Sequence, residues 1–151
     1  MKIVIRKKAR RLELHREGEP VKGYRIALGS SPVGDKEREG DGRTPEGEFV
    51  VCVKNPNSKY TLSLGLNYPT IQDAERGLRD GLISSDQHTV IVEANRAGRR
   101  PPWDTPLGGE IFVHGGGTSR DWTVGCIAMD DDDIRELYGI VEVGTPVTIE
   151  P

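Results

Sequence analysis

Short runs of alternating apolar and polar residues, each closed by glycine or proline, constrain this chain more than any other feature. Ile3 and Ile5 point one way while Lys2, Val4 and Arg6 point the other, and Leu12 and Leu14 repeat the pattern. Successive strand side chains face opposite sides, so a period of two predicts strands. "EGEPVKGY" (17–24) predicts a turn and "YRIALG" a third strand, giving an antiparallel meander. "FVVCVKN" (49–55) sets Phe49, Val51 and Val53 on one face and Val50 and Cys52 on the other. "KYTLSLGL" (59–66), "HTVIVEA" (88–94), "EIFVHG" (110–115) and "GTPVTIEP" (144–151) read as further strands. Two segments read as helices. "TIQDAERGLRDGLI" (70–83) has Thr70 as a cap and Ile71, Ala74 and Leu78 at helical spacing. "MDDDDIRELYGIV" (129–141) opens with aspartates that suit the positive end of a helix dipole. The expectation is a mainly β chain with two short helices and no strand–helix alternation of the kind that builds a parallel sheet.

At 151 residues the chain is expected to be one domain, residues 1–151, large enough for a core without staples. Its 21 basic and 24 acidic residues give a net charge of −3, which is no footprint for nucleic acid. The basic run "RKKARR" (6–11) reads as the solvated face of a strand and turn. No apolar run reaches the length of about 18 residues that a membrane span needs. "MKIVIRKKARRLEL" lacks the apolar region and cleavage site of a signal peptide. The expectation is a cytoplasmic chain, or a trimmed form of an exported one.

Two cysteines make no disulfide framework; Cys52 and Cys126 could pair, but nothing requires it. A metal site is not expected, because there is no Cys-x-x-Cys and no pair of histidines at helical spacing. Asp35, Glu37, Glu39 and Asp41, with Gly40 and Glu46, mimic a calcium loop. No amphipathic helices flank them, and Gly42 stands where an apolar residue belongs.

The chemistry concentrates in "FVHGGGTSRDWTVGCIAM" (112–129). Free cysteine is usually a small buried hydrophobe, and Cys52, among valines in a strand, fits that description. Cys126 follows Gly125 in a turn, just before a predicted helix whose positive end would lower the thiol pKa. The glycines let backbone N–H groups approach a reacting carbonyl. His114, at a strand end before three glycines, can reach the thiol and take its proton. His15 and His88 lie on predicted strand edges with no reactive partner nearby.

These residues resemble the active-site signature of the L,D-transpeptidase catalytic domain, the YkuD domain. The matched positions are His114, Gly115, Thr123, Gly125 and Cys126. "GDGRTPEGEFVV" (40–51) is similar to the family's Thr-Pro-x-Gly-x-Phe strand entry, and "YTLSLGLNYPT" (60–70) and "PPWDTPLGGEIFVHGGG" resemble its YafK-like subgroup. Two positions depart: Val124 stands where the family often has His, and Ala128 where it often has Arg or Asn. The segment from His114 to Thr123 is also shorter than in many members.

The resemblance implies a β-sandwich with the His/Cys pair at one end and no cofactor. It implies acyl transfer on peptidoglycan stem peptides in the periplasm or cell envelope. Cys126 would attack the carbonyl of the third stem residue to give a thioester, and His114 would act as base and then acid. The Gly115 carbonyl would orient the imidazole. The N–H groups of Gly125 and Cys126, helped by Thr123, would hold the oxyanion. Trp122 and Tyr68 are candidates for the cleft wall, with a core role as the alternative for each. Two other outcomes stay open: a hydrolase of the same bond, and a non-catalytic wall-binding module.

Overall fold

The computed structural model describes residues 1–151 and contains eight strands and three helices. The strands are β1 (Lys2–Arg6), β2 (Arg11–Arg16), β3 (Glu19–Ala27), β4 (Gly47–Asn55), β5 (Ser63–Leu66), β6 (Phe112–His114), β7 (Ile127–Met129) and β8 (Pro146–Glu150). The helices are α1 (Ile71–Arg79), α2 (Ser85–Arg96) and α3 (Asp131–Ile140). The meander of β1, β2 and β3 forms as the alternation predicts, with Ile3 opposite Leu14 and Ile5 opposite Leu12.

The expected β-rich architecture is present as one continuous circuit of strands. It closes into a barrel in the order β1-β2-β3-β7-β6-β5-β4-β8. Closure comes from the chain ends: β8 lies parallel to β1, with Ile3 beside Val147, and antiparallel to β4, with Phe49 beside Val147. A second parallel pair, β6 with β7, sets Val113 beside Ile127 and His114 beside Ala128. Closure satisfies the edge N–H and C=O groups that an open sheet would expose. An eight-stranded barrel is just wide enough to be filled by side chains. Here Ile3, Ile5, Leu12, Leu14, Ile26 and Val51 are among 21 buried residues that form one core.

The segment 88–94, read as a strand from its β-branched residues, is helical and lies inside α2. The Ser84 side chain accepts from the Gln87 backbone, and the Gln87 side chain from the Ser84 N–H, which fixes the helix start. Ile91 and Val92 then pack with Ala74 and Leu107 in a small second core. His88 therefore sits on a helix, 3.2 Å from Glu75. Helix α1 starts at the Thr70 cap as expected.

Candidate active site

The parallel pairing of β6 with β7 brings the two ends of the signature together. His114 closes β6, and Cys126 directly precedes β7. Both line one cleft of about 530 Å³, together with Phe112, Tyr60, Lys59 and Glu110. The Cys126 thiol donates to the Glu110 carbonyl at 3.3 Å and accepts from the Phe112 N–H at 3.4 Å. The His114 ring is buried, and its Nδ1 lies 2.6 Å from the Gly115 carbonyl. A carbonyl only accepts, so Nδ1 carries the proton and Nε2 keeps its lone pair.

The turn that presents Cys126 is held from three directions. Thr123 Oγ1 donates to the Cys126 carbonyl at 2.7 Å and accepts from the Gly125 N–H at 3.2 Å. Thr44 Oγ1, from the Thr-Pro-x-Gly segment, donates to the Gly125 carbonyl at 2.8 Å. Gly29 packs so closely that a Cβ there would lie 2.4 Å from the Gly42 carbonyl and 2.9 Å from the Gly125 nitrogen. Gly125 itself has a φ of +134°, a conformation that side chains disfavour. In this arrangement the Thr123 hydroxyl and the Gly125 N–H hold each other and the turn.

The long loop beneath this turn carries buried charge. Lys7, in the run read as solvated, is 2% exposed. Its ammonium donates to the carbonyls of Gly34 and Thr44 and to the Glu46 carboxylate. Lys36 is likewise buried and pairs with Asp41 at 2.9 Å. Of the acids that mimic a calcium loop, Glu46 and Asp41 are thus paired with lysines, and Asp35 accepts from the Glu46 N–H.

One sequence expectation fails at the site, and for Tyr68 the core alternative holds. Cys126 leads into a strand, and α3 begins only at Asp131, so no helix starts at the thiol. Burial instead pushes the Cys126 thiol up from its ordinary value, partly offset by the Phe112 N–H. Tyr68 is fully buried in the core, with its hydroxyl donating to the Leu107 carbonyl at 2.7 Å, and is not a cleft wall. Trp122 does stand near the pair: its ring lies 5.5 Å from the His114 ring, and its Nε1 donates to the Gly117 carbonyl. Burial holds the His114 imidazole below its usual range, against the opposing pull of the Gly115 carbonyl.

Several neighbours were not singled out from sequence. Tyr60 stacks on the His114 ring, and its carbonyl accepts from the Gly115 N–H at 2.9 Å. Asp131, at the start of α3, accepts from the Gly116 N–H and the Thr61 hydroxyl. Arg10 clamps Asp121 through two nitrogens, and Asp121 also accepts from the Leu28 N–H. Only the acids in the helix-start run gave any signal for this second layer.

A closed β-barrel with a thiol and an imidazole in one cleft is the class that fold and site define. The model of the YkuD family, the L,D-transpeptidase catalytic domain, matches residues 1–149, and the chain belongs to that family. Among curated proteins none matches in sequence. Among solved structures, the helical cell shape determining protein Pgp2 of Campylobacter jejuni is 22% identical with a TM-score of 0.67, over 98% of this chain and 46% of its own. The L,D-transpeptidase of Xylanimonas cellulosilytica is 18% identical with a TM-score of 0.54, over 98% of this chain and 59% of its own. An L,D-transpeptidase of Mycobacterium smegmatis is 16% identical with a TM-score of 0.52, over 99% and 58%. The chain therefore spans about half the length of these relatives. At these identities the likeness is one of fold. No helix is long and apolar enough to cross a membrane.

Proposed function

We propose that this chain catalyses cysteine-dependent acyl transfer on peptidoglycan stem peptides, as an L,D-transpeptidase. The observation that carries the reading is the shared cleft of Cys126 and His114, with Nδ1 held by the Gly115 carbonyl. That bond leaves Nε2 as the nitrogen able to take a proton. The Cys126 S–H proton passes to His114 Nε2, and the thiolate attacks the carbonyl of the third stem residue. The tetrahedral oxyanion is held by backbone N–H groups of the turn, that of Cys126 foremost, because the Gly125 N–H already donates to Thr123. The C–N bond then breaks, the imidazolium proton goes to the departing amine of D-alanine, and a thioester remains. A side-chain amine of a second stem attacks the thioester, gives its proton to His114 and restores the thiol as the new amide forms.

Thr123 acts in this scheme as a positioning residue, because its hydroxyl proton is directed at the Cys126 carbonyl. The sequence likeness to the YafK-like subgroup, a cell-envelope location and a part in cell shape, as for Pgp2, are consistent with the same chemistry. Hydrolysis is the second reading. It is favoured by Val124, an apolar side chain 83% exposed in the nucleophile turn where the family often has His.

The deciding experiment is mass spectrometry of muropeptides with tetrapeptide stems, incubated with excess acceptor amine. Cross-linked dimers, or exchange of the terminal D-alanine for an added D-amino acid, are expected. Tripeptide stems alone would show the hydrolase. Cys126→Ala is expected to abolish turnover while Cys52→Ala leaves it nearly intact; equal loss in two folded proteins would sink the assignment.

A further inference from the structure

His114 Nδ1 and the Asp131 carboxylate bind opposite ends of one peptide unit. The carbonyl of the Gly115–Gly116 peptide faces Nδ1 at 2.6 Å, and the N–H of the same unit donates to Asp131 Oδ1 at 2.9 Å. A chain of hydrogen bonds therefore runs from the imidazole through an amide to a carboxylate. The His114 ring is buried at one end, and Asp131 is exposed at the other. The carboxylate reaches the ring's partner without lining the cleft itself.

Several features hold Asp131 and the peptide in this relation. Asp131 is the first residue of α3, where the helix dipole favours negative charge. The Gly116 N–H, and the Thr61 hydroxyl that donates to the same Oδ1 at 2.8 Å, hold its carboxyl below the ordinary value, so it is ionised at neutral pH. Thr61 reaches Asp131 from a backbone at φ +76°, a costly conformation for a β-branched residue that persists where the surroundings impose it. A Cβ on Gly115 would lie 2.5 Å from Asp131 Oδ1 and 2.8 Å from the Tyr60 carbonyl, so so close an approach requires glycine. An amide whose N–H donates to a carboxylate carries more negative charge on its oxygen, because the two bonds polarise the unit in the same sense. That oxygen holds Nδ1–H more firmly. It also stabilises the imidazolium formed when Nε2 takes a proton, which burial of the ring opposes.

We infer that Asp131 is a positioning residue for His114 and acts on it through the Gly115–Gly116 peptide. No proton travels along the chain: Nδ1 keeps its hydrogen, Asp131 stays ionised, and only the charge distribution of the amide changes. The Cys126–His114 pair thereby acquires an acidic third member, one peptide removed from the ring. Its part in turnover rests on the acyl-transfer reading; its hold on the imidazole does not.

The test reads the imidazole directly and turnover separately. Long-range proton–nitrogen correlation NMR of protein carrying 15N-histidine, at neutral pH, gives the His114 tautomer and the position of its Nδ1 proton, with His114→Gln assigning the signals. The wild type is expected to hold the Nδ1–H form alone. Asp131→Ala is expected to mix the two tautomers and to move the Nδ1 proton upfield. On tetrapeptide stems it is expected to lower kcat about tenfold, the scale of one hydrogen bond, with KM changed by less than about twofold. Asp131→Asn keeps an acceptor for the Gly116 N–H but no charge; it is expected to keep the tautomer, move the Nδ1 proton upfield and give an intermediate kcat. Thr61→Val removes the other bond to the same oxygen, and Asp132→Asn removes a neighbouring acid that pairs with Arg135; both are expected to leave the His114 signals unchanged. Wild-type His114 signals in Asp131→Ala, an equal disturbance in Thr61→Val, or a loss carried by KM with kcat unchanged would overturn the inference. A disturbed imidazole in Asp131→Ala, with no product from the wild type on any stem, would leave the positioning role standing and remove the transferase and hydrolase readings instead.

Discussion

The Tyr60 ring lies stacked on the His114 imidazole, with centroids 4.6 Å apart and planes at 23°. The same residue accepts the Gly115 N–H through its carbonyl and meets Trp122 edge-on at 5.1 Å. Tyr60 therefore holds both the ring of His114 and the backbone that follows it. Backbone contact survives any substitution, whereas the stack does not.

Tyr60→Ala is expected to fold and to lower kcat about two- to tenfold, the scale of one aromatic pair of about 0.5–1.5 kcal/mol. Tyr60→Phe keeps the ring and is expected to retain most of the rate. Steady-state kinetics on a tetrapeptide stem checks both; a fully active Tyr60→Ala protein would show that the imidazole needs no such support.

Thr44 links a distant loop to the nucleophile turn through its bond to the Gly125 carbonyl. Thr44→Val removes a buried hydrogen bond at nearly constant volume, so about 1 kcal/mol of stability is expected to go. The effect on Cys126 should be larger than that figure suggests, because the turn loses an anchor. Urea unfolding gives the first quantity and the rate of iodoacetamide labelling at Cys126 the second. An unchanged labelling rate in the destabilised protein would separate the loop from the site.

Much of this arrangement could be read from residues, and the rest could not for identifiable reasons. His114 and Cys126 stood out because glycines surround them, and the first three strands because their apolar residues alternate. The 88–94 segment misled because its Thr, Val and Ile favour strands, while the Ser84–Gln87 box that starts the helix lies upstream of that run. Barrel closure rests on pairing Ile3 with Val147, a contact between chain ends that no local pattern encodes. Lys7 misled because a lysine in a basic run is usually solvated; its three acceptors come from residues 34, 44 and 46. Lys59 lies outside every quoted motif, Tyr60 and Glu110 lie inside family-like segments that mark no role for them, and all three meet only where β5 and β6 pair.

Lys7→Met is expected to be among the most damaging substitutions away from the cleft. It leaves the carbonyls of Gly34 and Thr44 without a donor and Glu46 without its cation. Breaking a buried pair from one side typically destabilises by about 3–5 kcal/mol, and Glu46, partly exposed, places the expectation near the lower end. Thermal unfolding of the variant measures it. The double variant Lys7→Met with Glu46→Gln should recover part of the loss, and no recovery would show that the carbonyls, rather than the ion pair, need the ammonium.

The two reactive groups should leave opposite marks on stability against pH. Burial lowers the His114 pKa below 6.5, so the unfolded chain takes up a proton there before the folded protein does. The stability from neutral His114 is then present above about pH 6.5 and is lost as pH falls through that value toward the folded one. Burial raises the Cys126 pKa above 9.0, so the unfolded chain ionises first on the alkaline side. That contribution is present below the unfolded thiol value and is lost as pH rises through it toward the folded one. Other groups, Asp35 and Asp41 among them, shape the total curve, so the comparison is between variant and wild type at each pH. His114→Gln is expected to flatten the acid limb alone, and Cys126→Ser the alkaline limb alone. Iodoacetamide labelling of Cys126 should likewise keep rising with pH beyond the range where an ordinary thiol has levelled off. A labelling rate already at its plateau in mild acid would mean that the resting site holds a thiolate–imidazolium pair, against the burial that surrounds both groups.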